Sequence, residues 1–349
     1  MGAQEINLHN RKYLGSKHKL LEFIAPVILT EAGGCGVFID GFAGTGVVGH
    51  HFRRHADTII ANDLLYSNYL VNKVFLNSTR GEVSRAGVRG LIEELNALPP
   101  RKGYAYGSYG GAYFTPANAG RIDAVRESIA EMRRRGRCTE QEGYVLLVSL
   151  LFAMDKCANT VGQYDAFLKH LGEAAYTQEG RHLVDSNVHK PLRLGMPAFE
   201  YDGRNRVYNE DLNVLIERLK GDVLYLDPPY NTRQYVDCYH VLENVMRWDK
   251  PALYGKTRKF RRERLKSRYS RRGDAASALG ELVERARVGH IFMSYNDEGI
   301  LGDHELRQIL SRRGKVRLFE RRYPVFGGGA GSARRRSVSE RLYHCRCER

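Results

Sequence analysis

Four short apolar runs, each closed by an acid or a polar cluster, punctuate the chain. Val37–Asp40 (VFID) leads into a glycine-rich turn, and Val47–Phe52 beyond it reads as the start of a helix. Thr58–Asn62 (TIIAN) ends at Asp63, Asp222–Leu226 (DVLYL) runs straight into Asp227-Pro228-Pro229-Tyr230, and His290–Ser294 (HIFMS) precedes Tyr295-Asn296-Asp297. Continuous short apolar runs, as opposed to alternating ones, suit strands buried on both faces. With helical patterns at Asn209–Leu219 and Asp303–Leu310, they predict a parallel sheet covered by helices. Two β-like runs, Val316–Val325 and Ser337–Cys345, flank a glycine-rich turn (Gly327–Gly331) and predict a hairpin that makes the sheet mixed at one edge.

Residues 81–205 follow another pattern. They carry amphipathic helical stretches (Ala119–Arg134, Glu140–Met154) and irregular polar segments, with no alternation of strand and helix. An insert is the natural reading, dividing the chain into 1–80, 81–205 and 206–349. The longest nearly apolar run, Tyr144–Met154, has 11 residues, short of the roughly 20 that a membrane span needs. Leu20–Leu29 carries Glu22 and lacks a small-residue cleavage site, so a soluble cytoplasmic protein with no membrane partner is expected. The 6 cysteines include no CxxC, which favours reduced thiols, Cys345 and Cys347 among them.

Charge adds a partner. The chain has 349 residues and a net charge of +15, but Gly255–Arg272 and Arg312–Arg349 hold +9 each, leaving the remainder at −3. Both segments are Arg-rich and interleaved with Tyr269, Tyr323 and Tyr343, as a polyanion site would be, since guanidinium groups bind phosphate bidentately. Lys256, Arg258, Lys259, Arg261, Arg262, Arg264, Lys266 and Arg268 are the candidate nucleic-acid contacts. Charge alone does not choose among DNA, RNA and an acidic surface.

The turn after the first run, Asp40-Gly-Phe-Ala-Gly-Thr-Gly-Val-Val-Gly49, contains Gly44-x-Gly46-x-x-Gly49, with Asp63 at the end of the next strand placed for ribose hydroxyls. A pyrophosphate wants bare backbone N–H groups and no anion nearby. Asp40 at the mouth of the turn would repel it and favour a ligand with an ammonium and a sulfonium. The electrostatics therefore prefer S-adenosylmethionine to a dinucleotide, and a dehydrogenase would give the tetrad 227–230 no job.

That tetrad is the sharpest feature. A proline pair that merely stops a strand explains neither the acid before it nor the aromatic after it. An amino group conjugated to a purine is a poor nucleophile because its lone pair is delocalised. The Asp227 side chain and the Pro228 carbonyl can accept its two N–H bonds, and Asp227 offsets the charge growing on nitrogen. Pro228 and Pro229 fix the local backbone and bring no competing N–H. Tyr230 offers a stacking face for a base taken out of its duplex.

These residues resemble the D12 (Dam-like, alpha-group) class of DNA N6-adenine methyltransferases, most of all the modification enzymes of type IIS restriction systems. Lys12-Tyr13-Leu14-Gly15-Ser16-Lys17 resembles the N-terminal motif, which implies that Tyr13 and Lys17 approach the donor's methionyl part. Asp40-Gly-Phe-Ala-Gly-Thr-Gly46 resembles the motif carrying the donor's amino-acid end, with Phe42, Ala43, Gly44 and Gly46 in the loop; Asp63 matches the ribose acid and Asp211 the acid near the donor's adenine. Asn231-Thr-Arg-Gln-Tyr235, Tyr239-His-Val-Leu-Glu-Asn244 and Ser294-Tyr-Asn-Asp-Glu-Gly299 are similar to the type IIS subset. Gly41 departs from the family, where Pro is common, and is expected to leave the loop freer. The resemblance implies a Rossmann-like S-adenosylmethionine-dependent methyltransferase fold, a mixed mostly parallel sheet with helices on both faces. Residues 81–205 would then be a largely helical inserted target-recognition region. Double-stranded DNA is the implied partner, with a cognate restriction endonuclease possible in the same system.

Other motifs fall away. There is no HExxH and no HxE with PCxxC, so zinc hydrolase and deaminase chemistry have no ligands here and no metal is expected. Trp248 follows a helical pattern and reads as core; Asn159–Phe167 reads equally as a nucleic-acid contact or an ordinary loop. Two alternatives stay open: methylation of an exocyclic amine in RNA, and an inactive methyltransferase fold that only binds nucleic acid. Cytosine N4 is disfavoured because those enzymes more often carry Ser at the position of Asp227.

Overall fold

The computed structural model describes residues 4–11, 13–168, 177–178, 181–182, 187–325 and 336–348. Lys12 and the turn Gly327–Gly331 lie outside them. The chain forms two compact units, a helical one (Met1–Ser16, Leu65–Gly203, Val236–Arg264) and a sheet one (Lys17–Leu64, Arg204–Tyr235, Leu265–Arg349).

The sheet unit has seven strands: β1 (Cys35–Asp40), β2 (Ala56–Asn62), β3 (Arg206–Tyr208), β4 (Gly221–Leu226), β5 (Val288–Asn296), β6 (Gly314–Val325) and β7 (Arg336–Cys347). Their order is β6-β7-β5-β4-β1-β2-β3, parallel from β5 to β3, with β7 antiparallel to both β5 and β6. The four apolar runs are the four central strands, and the hairpin closes one edge, a mixed and mostly parallel sheet as expected. Side chains alternate between two buried faces. On one, Ile39, Leu224, Leu226, Ile291, Met293 and Tyr343 pack with Leu279 and Leu282 of helix Ala275–Arg285 and Leu306 and Leu310 of helix Asp303–Ser311. On the other, Phe38 stacks on Phe52 of helix Val47–Phe52 (4.3 Å) and Phe292 on His344 (4.4 Å). The order runs outward in both directions from the β1/β4 pair, which makes the carboxyl ends of these strands the topological switch point, where open α/β sheets bind ligands.

The helical unit is organised by Tyr66–Leu76, Arg85–Ala97, Pro116–Arg134, Glu140–Cys157 and His240–Arg247. Thr139 and Glu142 form a capping box, and Thr115 caps a helix with Pro116 in its first turn. The unit joins Leu65–Gly203 to 1–16 and 236–264. The cause is packing. Helix Tyr66–Leu76 buries Leu70, Val71, Val74 and Phe75, with Phe75 6.3 Å from Phe152 and Tyr69 6.2 Å from Tyr144. Fully buried Glu243 accepts the Tyr66 and Ser67 N–H groups (2.9 Å each) and pairs with Arg247 at 2.7 Å. Glu243→Ala strands those donors and the guanidinium, and should cost about 3 kcal/mol of stability, read as a lower urea midpoint by circular dichroism. Among the described residues, no helix is long and apolar enough to cross a membrane.

Candidate active site

The carboxyl ends of β1, β2 and β4 carry the predicted acids. Asp40 is the last residue of β1 and pairs in register with Tyr225, so Asp227, two residues further on, points to the same face. Each acid of the glycine turn pins a different glycine. Asp63 Oδ2 accepts the Gly44 N–H at 2.8 Å, and Asp40 Oδ2 accepts the Gly49 N–H at 3.0 Å. Gly44 and Gly46 have φ of 52° and 83°, a left-handed backbone that glycine adopts without penalty. Gly41 is not a freer position: its N–H donates to the Tyr225 carbonyl (3.0 Å), and a Cβ there would meet Leu212 at 2.7 Å. Asn62, which carried no signal in the sequence, ties the loops together, donating to the Gly41 and Glu210 carbonyls and accepting the Glu210 N–H.

Asp40 is 1 % exposed, and among the described residues its Oδ1 has no hydrogen-bond partner. Burial pushes its carboxyl up to about 7; the Gly49 N–H opposes this, and the charges of Asp227 and Asp63 add to it. Such an orphaned buried oxygen fits a ligand ammonium. Phe42, after it, packs edge-on against Tyr269 (4.9 Å), whose hydroxyl donates to Asn213. Asp211 caps the short helix Leu212–Leu215 by accepting the Asn213 N–H at 2.8 Å. Phe42 and Asp211 thus meet through Tyr269 and Asn213. Ala43 closes the turn, its N–H bonded to the Asn62 carbonyl.

Around the tetrad, Lys17 is the centre. Its Nζ lies 2.9 Å from Asp227 Oδ1, 3.4 Å from Glu340 Oε1 and 5.7 Å from the Tyr230 ring centroid. Burial alone would lower the Lys17 pKa, but the Asp227 and Glu340 carboxylates outweigh it and hold the ammonium well above its ordinary value. Burial raises the Asp227 carboxyl against the pull of Lys17. Pro228 is buried, Pro229 and Tyr230 half-buried, and the Tyr230 ring meets Tyr295 edge-on at 6.0 Å. Tyr225 shares a 2.8 Å hydrogen bond with Ser294, and the Tyr230 carbonyl accepts from Ile300. Tyr295 and Ile300 thus brace the tetrad, and a Cβ at Gly299 would strike the Tyr295 ring.

The other nominated residues and motifs have partners of their own. Tyr13 falls in the helical unit, stacked on Tyr239 at 4.6 Å under the Arg11 guanidinium, with Asn68 donating to its hydroxyl. In the 239–244 motif, Glu243 caps a helix and Asn244 bonds the Tyr104 and Tyr109 hydroxyls, both scaffold roles. The 231–235 motif holds the basic loop, with Gln234 exchanging two hydrogen bonds with Ser267. Trp248 packs edge-on against Tyr104 and donates to Glu127. In 159–167, Tyr164 is buried on Asp155, and half-buried Phe167 packs on Tyr113.

The basic segments are less free than their charge suggests. Arg262 is 7 % exposed and, with Lys259, pairs with Asp237; Arg268 makes a bidentate pair with Glu281 at 2.8 Å. Lys256, Arg258, Arg261 and Arg264 are exposed, and Lys266 is half-buried. In the C-terminal segment Arg312, Arg317 and Arg341 pair with Glu284, Glu31 and Glu320.

A glycine loop pinned by acids, and a proline-braced carboxylate on the neighbouring strand, stand at the switch point of a doubly wound α/β fold. The chain belongs to the D12 class N6 adenine-specific DNA methyltransferases, whose family pattern matches residues 13–302. It is similar to the type II methyltransferase M.NlaIII of Neisseria lactamica, 38 % identical over 90 % of this chain and 92 % of the relative. It also resembles the modification methylase StsI of Streptococcus sanguinis (35 %, over 86 % of this chain) and the type II methyltransferase M.FokI of Planomicrobium okeanokoites (34 %, over 87 %). The chain spans about half the length of those two, 46 % and 47 %. It is a DNA adenine methyltransferase.

Proposed function

We propose that this enzyme transfers a methyl group from S-adenosylmethionine to N6 of an adenine flipped out of double-stranded DNA, as the modification half of a restriction–modification system or as an orphan or phage modification enzyme. The observation that carries the donor assignment is the orphaned Oδ1 of buried Asp40, a seat for an ammonium and a poor one for a pyrophosphate. Asp40, Phe42 and the 43–46 loop would hold the amino-acid end, Asp63 the ribose and Asp211 the adenine side. When bound, the donor supplies an electrophilic methyl on a sulfonium.

The chain's own residues prepare the nucleophile. Asp227 and the Pro228 carbonyl accept the two N–H bonds of the adenine amine, drawing the nitrogen toward tetrahedral geometry. The Asp227 charge offsets the positive charge that grows on nitrogen, a preorganised electrostatic contribution. Tyr230 stacks on the extruded base, offsetting the few kcal/mol that flipping costs. Residues 81–205 are the proposed target-recognition region, and the exposed Lys256, Arg258, Arg261 and Arg264 the proposed backbone grip, while Lys259, Arg262 and Arg268 support the loop that carries them.

Incubation with tritiated S-adenosylmethionine and either duplex DNA or structured RNA tests this reading. Label should enter DNA alone and elute as N6-methyladenine after nuclease digestion. Label in RNA, or in cytosine, overturns the substrate assignment.

A further inference from the structure

We propose that Glu340 is a positioning residue for methyl transfer, seating the Lys17 ammonium beside Asp227 and balancing its charge so that the Asp227 carboxylate stays available to the target amine. This rests on the reading of Asp227 as the acceptor for that amine.

Lys17 stands between two carboxylates, 2.9 Å from Asp227 and 3.4 Å from Glu340. The Lys17 and Glu340 side chains are 5 % and 4 % exposed, and Asp227 is 18 % exposed, so the three charges interact with little screening. Glu340 comes from β7, opposite Asn296 of β5, on the sheet face that carries Ser294 and Tyr225. Among the described residues, the Lys17 ammonium is the partner of its Oε1, so this buried carboxylate is tolerable as a partner of Lys17.

The charge count decides what Glu340 does. Lys17 and Asp227 alone would form a neutral pair, with little field left for a nitrogen that turns positive. With Glu340 the triad keeps one net negative charge there. Glu340 also gives Lys17 a second seat when Asp227 turns its oxygen to the amine. Burial holds the Glu340 carboxyl up near about 7, opposed by Lys17 and reinforced by Asp227 and by Asp297 beyond β5; Arg321 of β6 is its cross-strand neighbour. The single-turnover rate at saturating donor, where Asp40 is held ionised by the ligand, should therefore fall as pH drops through about 7.

The test uses the full chain, saturating tritiated S-adenosylmethionine and unmethylated mixed-sequence plasmid DNA. Glu340→Gln should lower the single-turnover rate about tenfold or more and flatten its acid limb, with donor Kd and DNA KM within about twofold. Glu340→Asp should restore the rate to within about threefold and keep the limb. If Gln lowers the melting temperature enough to unfold the chain, Glu340→Met, apolar and of similar volume, is read in its place. An unchanged rate and pH profile overturns the proposal, as does a loss confined to Kd or KM. If Asp227→Ala is inactive while Glu340→Gln is normal, this inference alone fails; if Asp227→Ala is active, both fail.

Discussion

Asp227→Ala should lower the methyl-transfer rate about a thousandfold or more while leaving donor affinity within about threefold and the fold intact. In the proposed mechanism this carboxylate is an acceptor for the amine and the negative charge nearest the reacting nitrogen, and alanine removes both. The fold survives because Lys17 keeps its second partner, Glu340, at 3.4 Å. Asp227→Asn separates the two contributions, since the amide still offers an oxygen acceptor but no charge; its rate should fall between those of the parent and the alanine variant. Single-turnover kinetics with calorimetric donor binding reads both variants. Parental rates in Asp227→Ala would remove the mechanism, and a matching collapse of donor binding would move Asp227 from the acceptor site to the donor site.

The parts of this site that were legible in the sequence are those built from short continuous segments. A buried strand needs an apolar run, so β1, β2, β4 and β5 stood out, and the acids at their ends came with them. β3, only three residues long (Arg206–Tyr208), has no such run and did not. The helical pattern at 209–219 shortens to Leu212–Leu215 and a 3-10 turn at Ile216–Arg218, because Asp211 sets the start as a cap.

What stayed hidden depends on partners distant in the chain. Glu340 is an ordinary glutamate in a β-like run until Lys17 lies beside it. Asn62 looks like the polar end of a strand until it bonds the loops after β1 and β3. Arg262 is indistinguishable from its neighbours in a basic run, yet Asp237 and the Phe260 carbonyl draw it inward. Net charge measures composition, and only pairing decides how much of it can face a polyanion. Pairing thus withdraws part of each +9 segment, while Lys256, Arg258, Arg261 and Arg264 are among the basic side chains that stay exposed.

Asp40→Asn should weaken binding of S-adenosylmethionine about a hundredfold at pH 8, since a charge-assisted bond from an ammonium to a buried carboxylate contributes roughly 2–3 kcal/mol. The pH dependence is more diagnostic than the loss. In the donor-free protein the Asp40 carboxyl sits at about 7, so below that pH it is largely protonated and cannot meet an ammonium. Parental affinity should be flat above about pH 7 and fall about tenfold per unit below it; the asparagine variant should be flat throughout. Stability should move the other way. A carboxyl whose folded pKa exceeds its unfolded value costs stability once the unfolded form ionises, from its ordinary value of 3.8 upward, and the full cost is reached above about 7. Donor-free Asp40→Asn should therefore melt above the parent at pH 8 and alongside it near pH 3. Calorimetric titrations and thermal melts across this range check both signs. A variant that binds the donor with parental affinity and the parental pH profile would place the ammonium elsewhere. A variant that binds weakly but is also less stable at pH 8 would make Asp40 a scaffold residue of the glycine loop, acting through Gly49 rather than on the ligand.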